Sequence, residues 1–73
     1  MDYWDYIALA PEICSGKPVV KGTRVLVEIV IGAFAGGMTV AEVCEDYTLT
    51  DEQVRACVAY ARDVVSFPRS HLD

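Results

Sequence analysis

The chain has 73 residues, 53% of them hydrophobic, with six Lys and Arg against eleven Asp and Glu and a net charge of −5. That length supports one small domain, and so small a core does not hide this much apolar material, so part of it is expected to face a partner, a second copy of the chain included. A free-standing nucleic-acid binder draws its affinity largely from phosphate contacts, and the sign of the charge argues against one.

The charge is unevenly divided. Residues 1–37 hold three basic and four acidic side chains, a balance of −1, whereas residues 38–73 hold three and seven, a balance of −4. The acidic half suits a basic partner such as an RNA-handling protein. Cys14, Cys44 and Cys57 are odd in number and lack metal spacing, which reads as reduced thiols in a cytoplasmic protein. With one histidine, His71, and no CxxC pair, no zinc site and no other cofactor is expected.

The first residues, Met1-Asp2-Tyr3-Trp4-Asp5, lack the basic start and apolar core of a signal peptide. Tyr3, Trp4 and Tyr6 form an aromatic cluster whose uses are packing, within the domain or a dimer, or base stacking. Tyr6 to Leu9 predicts a short strand with edges that seek a neighbour. Residues 11–18 read as loop, because Pro11, Gly16 and Pro18 break any regular element. From Val19 to Val25, two β-branched runs flank Lys21-Gly22, a candidate hairpin in which Gly22 supplies a positive φ. Lys17, Lys21 and Arg24 are the only basic cluster, either a solvated loop or a contact for phosphate or partner.

Residues 25–37 fit two patterns. Val25, Val27, Ile29 and Ile31 alternate as in a strand, while Leu26, Ile29, Val30, Ala33 and Phe34 make a helix face. Length, and Gly36-Gly37 placed as a C-cap, favour the helix. Gly32 inside it costs about 1 kcal/mol relative to alanine, a cost suited to close packing by a neighbouring helix. Two further helix starts follow. Thr39 with Glu42, and Thr50 with Gln53, are capping boxes, in which the hydroxyl accepts from an orphan N–H and the longer side chain reaches back. They predict helices from about Val40 to Asp46 and from about Asp51 to Val65, separated by Tyr47-Thr48-Leu49, a helix-turn-helix. In DNA-binding versions the second helix enters the major groove.

In the last helix Val54, Val58, Ala61 and Val65 make a stripe, with Cys57 and Val64 beside it, expected to face inward. Asp51 and Arg55 stand at i, i+4 and are expected to pair. Pro68 is expected to stop the helix, leaving a tail in which Phe67 and Leu72 are candidate anchors around Arg69, or a frayed terminus. No nucleophile–base pair, phosphate-binding glycine loop or paired buried carboxylates appear, so the chain does not read as an enzyme. Ile29 to Met38 is too short and glycine-rich to span a bilayer. The expected architecture is mainly α: a β-ribbon or loop arm over 1–24, a three-helix helix-turn-helix domain over 25–66 and a tail over 67–73.

The run Pro11-Glu12-Ile13-Cys14-Ser15-Gly16-Lys17-Pro18-Val19-Val20-Lys21-Gly22-Thr23-Arg24 resembles the prokaryotic "domain of unknown function 433" family. The likeness continues through Ala35-Gly36-Gly37-Met38-Thr39, Glu45-Asp46-Tyr47 and Leu49-Thr50 to Val54-Arg55-Ala56-Cys57-Val58-Ala59-Tyr60-Ala61, so that it covers roughly residues 6 to 64. Its most specific part is Gly-Lys-Pro to Gly-Thr-Arg. Family members often carry an extra residue between the tyrosine and the Leu-Thr; the shorter Tyr47-Thr48-Leu49 turn bears on the angle between the helices.

The resemblance implies a small dimeric helix-turn-helix protein with an N-terminal β-ribbon, similar to antitoxins of VapB type. Such proteins bind a PIN-like ribonuclease toxin encoded beside them and repress their own operon. A toxin active site with acidic residues around Mg²⁺ would accept an antitoxin arginine in place of the metal's charge. Arg62 or Arg69, with Phe67 as anchor, is the candidate toxin contact. The candidates for operator DNA are Lys17, Lys21 and Arg24, with Thr39, Gln53 and Arg55 on the two capped helices. The alternatives are a stand-alone helix-turn-helix transcriptional regulator and a dimeric protein-interaction module.

Overall fold

Asp2 Oδ1 accepts from the Trp4 N–H at 3.0 Å and caps a 3-10 turn over Tyr3–Asp5, so the aromatic residues precede the strand. The computed structural model describes residues 1–9 and 14–72, with side chains at 1–9 and 15–66. Strand β1 (Ile7–Leu9) pairs antiparallel with β2 (Pro18–Val20), in the register Ile7 with Val20, Ala8 with Val19 and Leu9 with Pro18. Ile7 and Val20 are both fully buried, which places the N-terminal arm inside the common core.

The turn at Lys21-Gly22 forms as its residues suggest. Gly22 has φ +76°, and the Thr23 N–H donates to the Val20 carbonyl at 3.1 Å. The expected hairpin beyond it is reduced to a single bridge between Val19 and Leu26. The Thr23 hydroxyl takes the local bonds, donating to Val20 O at 2.8 Å and accepting from the Val25 N–H at 3.0 Å. Leu26 then caps helix α1 (Val27–Ala35), so β2 finds its main partner in β1 instead.

Within residues 25–37 the helix wins over the strand. It ends in a Schellman motif: the Gly37 N–H donates to Phe34 O, the Met38 N–H donates to Ala33 O at 3.1 Å, and Gly37 sits at φ +98°. The expected close packing at Gly32 is absent. A β-carbon there would meet nothing within 4 Å.

Both capping boxes close. At helix α2 (Val40–Tyr47), Thr39 N–H donates to Glu42 Oε1 at 2.8 Å and Glu42 N–H to Thr39 Oγ1 at 3.2 Å. At helix α3 (Asp51–Leu72) the corresponding Thr50–Gln53 distances are 2.7 and 3.2 Å. Between them Thr48 adopts the left-handed conformation, φ 56° and ψ 51°, and turns the chain so that Leu49 drops into the core. The core gathers Ile7, Val20, Val27, Val30, Val43, Leu49, Val54, Ala56 and Cys57, drawn from every strand and helix.

Two expectations for α3 are corrected. The helix does not end at Val65 but continues through Pro68 to Leu72. Proline removes one N–H donor, to Val64, and leaves the neighbouring ladder in place. The inward face is Val54, Ala56 and Cys57, while Val58, Val64 and Val65 are 46, 50 and 69% exposed. The core is shallow, and its contacts with α3 run out before the apolar stripe does. Among the described residues no helix is long and apolar enough to cross a membrane.

Candidate functional site

The α2–α3 unit is the part a DNA reader would use, and its cap and charge chemistry is largely engaged. Thr39 Oγ1 and Gln53 Oε1 hold backbone N–H groups in the two boxes. The first turn of α3 carries Asp51 and Glu52, two carboxylates where phosphate would approach a helix start. Arg55 Nε lies 2.7 Å from Asp51 Oδ2, the expected i, i+4 pair. Of the basic cluster, Lys17 Nζ lies 2.8 Å from Glu28 Oε1 in α1, and Lys21 and Arg24 are exposed on the turn after β2.

A second feature lies at the N-terminus. Tyr3, Trp4 and Tyr60 form a three-ring cluster with centroid separations of 5.3 to 5.6 Å, and Tyr60 is edge-on to both others. Such geometry is that of a packed cluster rather than an open cage. Trp4 keeps 45% of its surface in solvent. Carboxylates adjoin it: Asp2 caps its turn, Asp5 follows it in sequence, and Asp63 Oδ2 accepts from the Tyr3 hydroxyl at 2.9 Å. That hydrogen bond to Asp63 is the main reason the Tyr3 phenol is held above its ordinary pKa.

The third feature is an uncovered apolar face between α1 and the later turns of α3. Two open depressions of about 700 and 250 Å³ share Ile31, Ala61 and Val65 as their floor. Phe34, Val58 and Arg62 complete the larger, and Val27, Glu28 and Val64 border the smaller. Arg62 is exposed, with Nη2 at 3.4 Å from Asp63 Oδ1. Phe67 and Arg69 share the helical backbone of α3, but their side chains lie outside the described residues. Sequence reasoning placed Val58 and Val65 inside and passed over Ile31, Phe34 and Glu28 as parts of a surface. The signal available was an apolar stripe longer than so small a domain can cover.

The thiols are inert by position. Cys57 is fully buried, and burial pushes its pKa up to about 11. No group of three or more His, Cys, Asp or Glu side chains among the described residues is arranged to hold a metal ion.

Three helices, the last two joined by a short turn, with a two-stranded antiparallel hairpin at the N-terminus define a helix-turn-helix type of domain. The chain belongs to the family described as protein of unknown function, DUF433, whose sequence profile matches residues 7–61. Among solved structures it is similar to the X-ray crystal structure of Rv2018 from Mycobacterium tuberculosis, with a TM-score of 0.69 and 34% sequence identity. The likeness covers 78% of this chain and 27% of that one, so the chain corresponds to about a quarter of the Rv2018 chain. No curated protein matches the sequence.

Proposed function

We propose that this protein is an antitoxin that binds a PIN-like ribonuclease and suppresses its cleavage of RNA. The observation that carries this reading is the distribution of charge. Asp51 and Glu52 occupy the start of the helix that would read DNA, Arg55 is tied to Asp51, and Trp4 stands exposed beside Asp2, Asp5 and Asp63. An aromatic face ringed by carboxylates matches the cationic surface with which a ribonuclease grips RNA. Arg69, near the end of α3 with Phe67 close by in sequence, is the arginine assigned to the toxin's acidic Mg²⁺ centre, because Arg62 borders the α1–α3 face.

The test is co-expression with the product of the adjacent gene, purification through a tag on this chain, and an RNA-cleavage assay with and without it. A stable complex with suppressed cleavage supports the reading, and Arg69→Ala then restores cleavage. A tagged chain that brings down no such nuclease, or a complex that still cleaves at full rate, overturns it.

One observation favours a second reading, a regulator that binds its own operator. Both helices of the α2–α3 unit begin in closed capping boxes and meet through a left-handed turn at Thr48, the rigid mounting a recognition helix needs. That reading requires a promoter fragment to be shifted by the purified chain, with affinity falling steeply as salt rises.

A further inference from the structure

We propose that the α1–α3 face is the seam between two copies of this chain, with Arg62 of each copy paired to Glu28 of the other. The inference is independent of the antitoxin reading.

The first ground is an apolar stripe left without a lid. Ala61 and Val65 lie on the floor of both depressions, Val58 flanks the larger, and Val58, Val64 and Val65 are half or more in solvent. Isolated surface valines are ordinary. A contiguous set, backed by Ile31 and Phe34 across a groove, is the pattern of a buried interface cut open.

The second ground chooses the occupant. The face carries opposite charges at its two ends: Arg62 borders the larger depression and Glu28 the smaller, with Ile31, Ala61 and Val65 between them. A two-fold rotation about that apolar centre exchanges the ends. It brings Arg62 of one copy over Glu28 of the other, and the same pair forms again on the opposite side. Each surface therefore complements itself. A partner whose face is uniformly basic would meet Glu28 well and Arg62 badly. Glu28 already holds Lys17 at 2.8 Å through Oε1, and a carboxylate accepts at both oxygens, so the seam would place Lys17, Glu28 and the second copy's arginine in one network. The two-stranded ribbon is a poorer seam, because β1 offers an edge of only three residues.

The experiment is sedimentation equilibrium on the full chain and its variants, with circular dichroism to confirm that each is folded. The expected result is a dimer at micromolar concentration. Val65→Asp gives a folded monomer. Arg62→Glu alone sets like charges against each other at both ends and weakens association by about tenfold or more. The double variant Glu28→Arg, Arg62→Glu recovers most of that loss, because the swapped charges complement each other again. Recovery in the double variant is what a merely destabilised fold cannot produce. A wild-type chain that stays monomeric to millimolar concentration overturns the proposal. So does a dimer that survives both Val65→Asp and Arg62→Glu, or a double variant no better than Arg62→Glu alone.

Discussion

Tyr3 donates its phenol hydrogen to Asp63 Oδ2 at 2.9 Å, joining two residues sixty positions apart in sequence. The bond fastens the N-terminal 3-10 turn to the middle of α3 and completes the Tyr3–Trp4–Tyr60 cluster. It favours the neutral phenol and raises its pKa above the ordinary 10.0, with desolvation and the Asp63 charge acting in the same direction. A raised pKa means that the contact contributes fully below the unfolded value near 10.0 and is lost as pH climbs through the folded value. The ultraviolet tyrosinate titration of the wild type minus that of Tyr3→Phe isolates this group. Its midpoint is expected above 10.0 and is expected to drop in Asp63→Asn. A midpoint that Asp63→Asn leaves unmoved would show that the two residues are not bonded in solution.

Glu42 behaves in the opposite sense. The backbone N–H of Thr39 is the largest cause lowering its pKa from 4.5, followed by the Thr39 side chain. A depressed carboxylate contributes above its unfolded pKa, and the contribution is lost as pH falls through the folded one. Thermal stability is therefore expected to decline below about pH 4.5, and Glu42→Gln, which keeps an acceptor, is expected to remove that part of the decline. Thr39→Ala breaks the hydroxyl side of the box and is expected to cost about 1 kcal/mol at neutral pH. Calorimetric melts of the three proteins from pH 3 to pH 7 check both statements, and parallel pH curves would disprove the Glu42 assignment.

Cys57 and Cys44 are expected to differ as reagents. Cys57 is fully buried with a thiol pKa of about 11, and Cys44 is half-buried on α2. The thiolate is the reactive species, so iodoacetamide at pH 8.5 is expected to reach Cys44 first and Cys57 only through unfolding. The neutral Cys57 thiol supports the fold below its unfolded pKa near 9.0, and that support is lost as pH rises through about 11. Peptide mapping against time decides the order, and equal rates at the two sites would refute it.

Gly32 lies exposed in α1, and a β-carbon there meets nothing within 4 Å. With no steric reason for glycine in the monomer, Gly32→Ala is expected to stabilise the fold by about 1 kcal/mol through helix propensity. For a domain of this size that is a rise in melting temperature of roughly 4–8 °C. A fall instead would reveal a close neighbour at α1 in the solution assembly.

The sequence by itself determined the local structure. Thr39 with Glu42 and Thr50 with Gln53 announce two helix starts, Gly36-Gly37 announces a helix end, and Gly22 a turn, because each depends on side chains and backbone groups a few positions apart. The Asp51–Arg55 pair and the three-helix class were legible for the same reason. What only the tertiary structure decided is which surfaces remain open. Periodicity marks Val54, Val58, Ala61 and Val65 as one stripe, but burial depends on whether another element lies over each residue. The core covers Val54 and leaves Val58 and Val65 in solvent. Likewise, the partner of β2 is β1 and not the run after Gly22, since Leu26 and Val27 are drawn into α1. The Tyr3–Asp63 and Lys17–Glu28 pairs join segments that no local rule connects. They exist because the packed core sets the N-terminal turn beside α3 and the start of β2 beside α1.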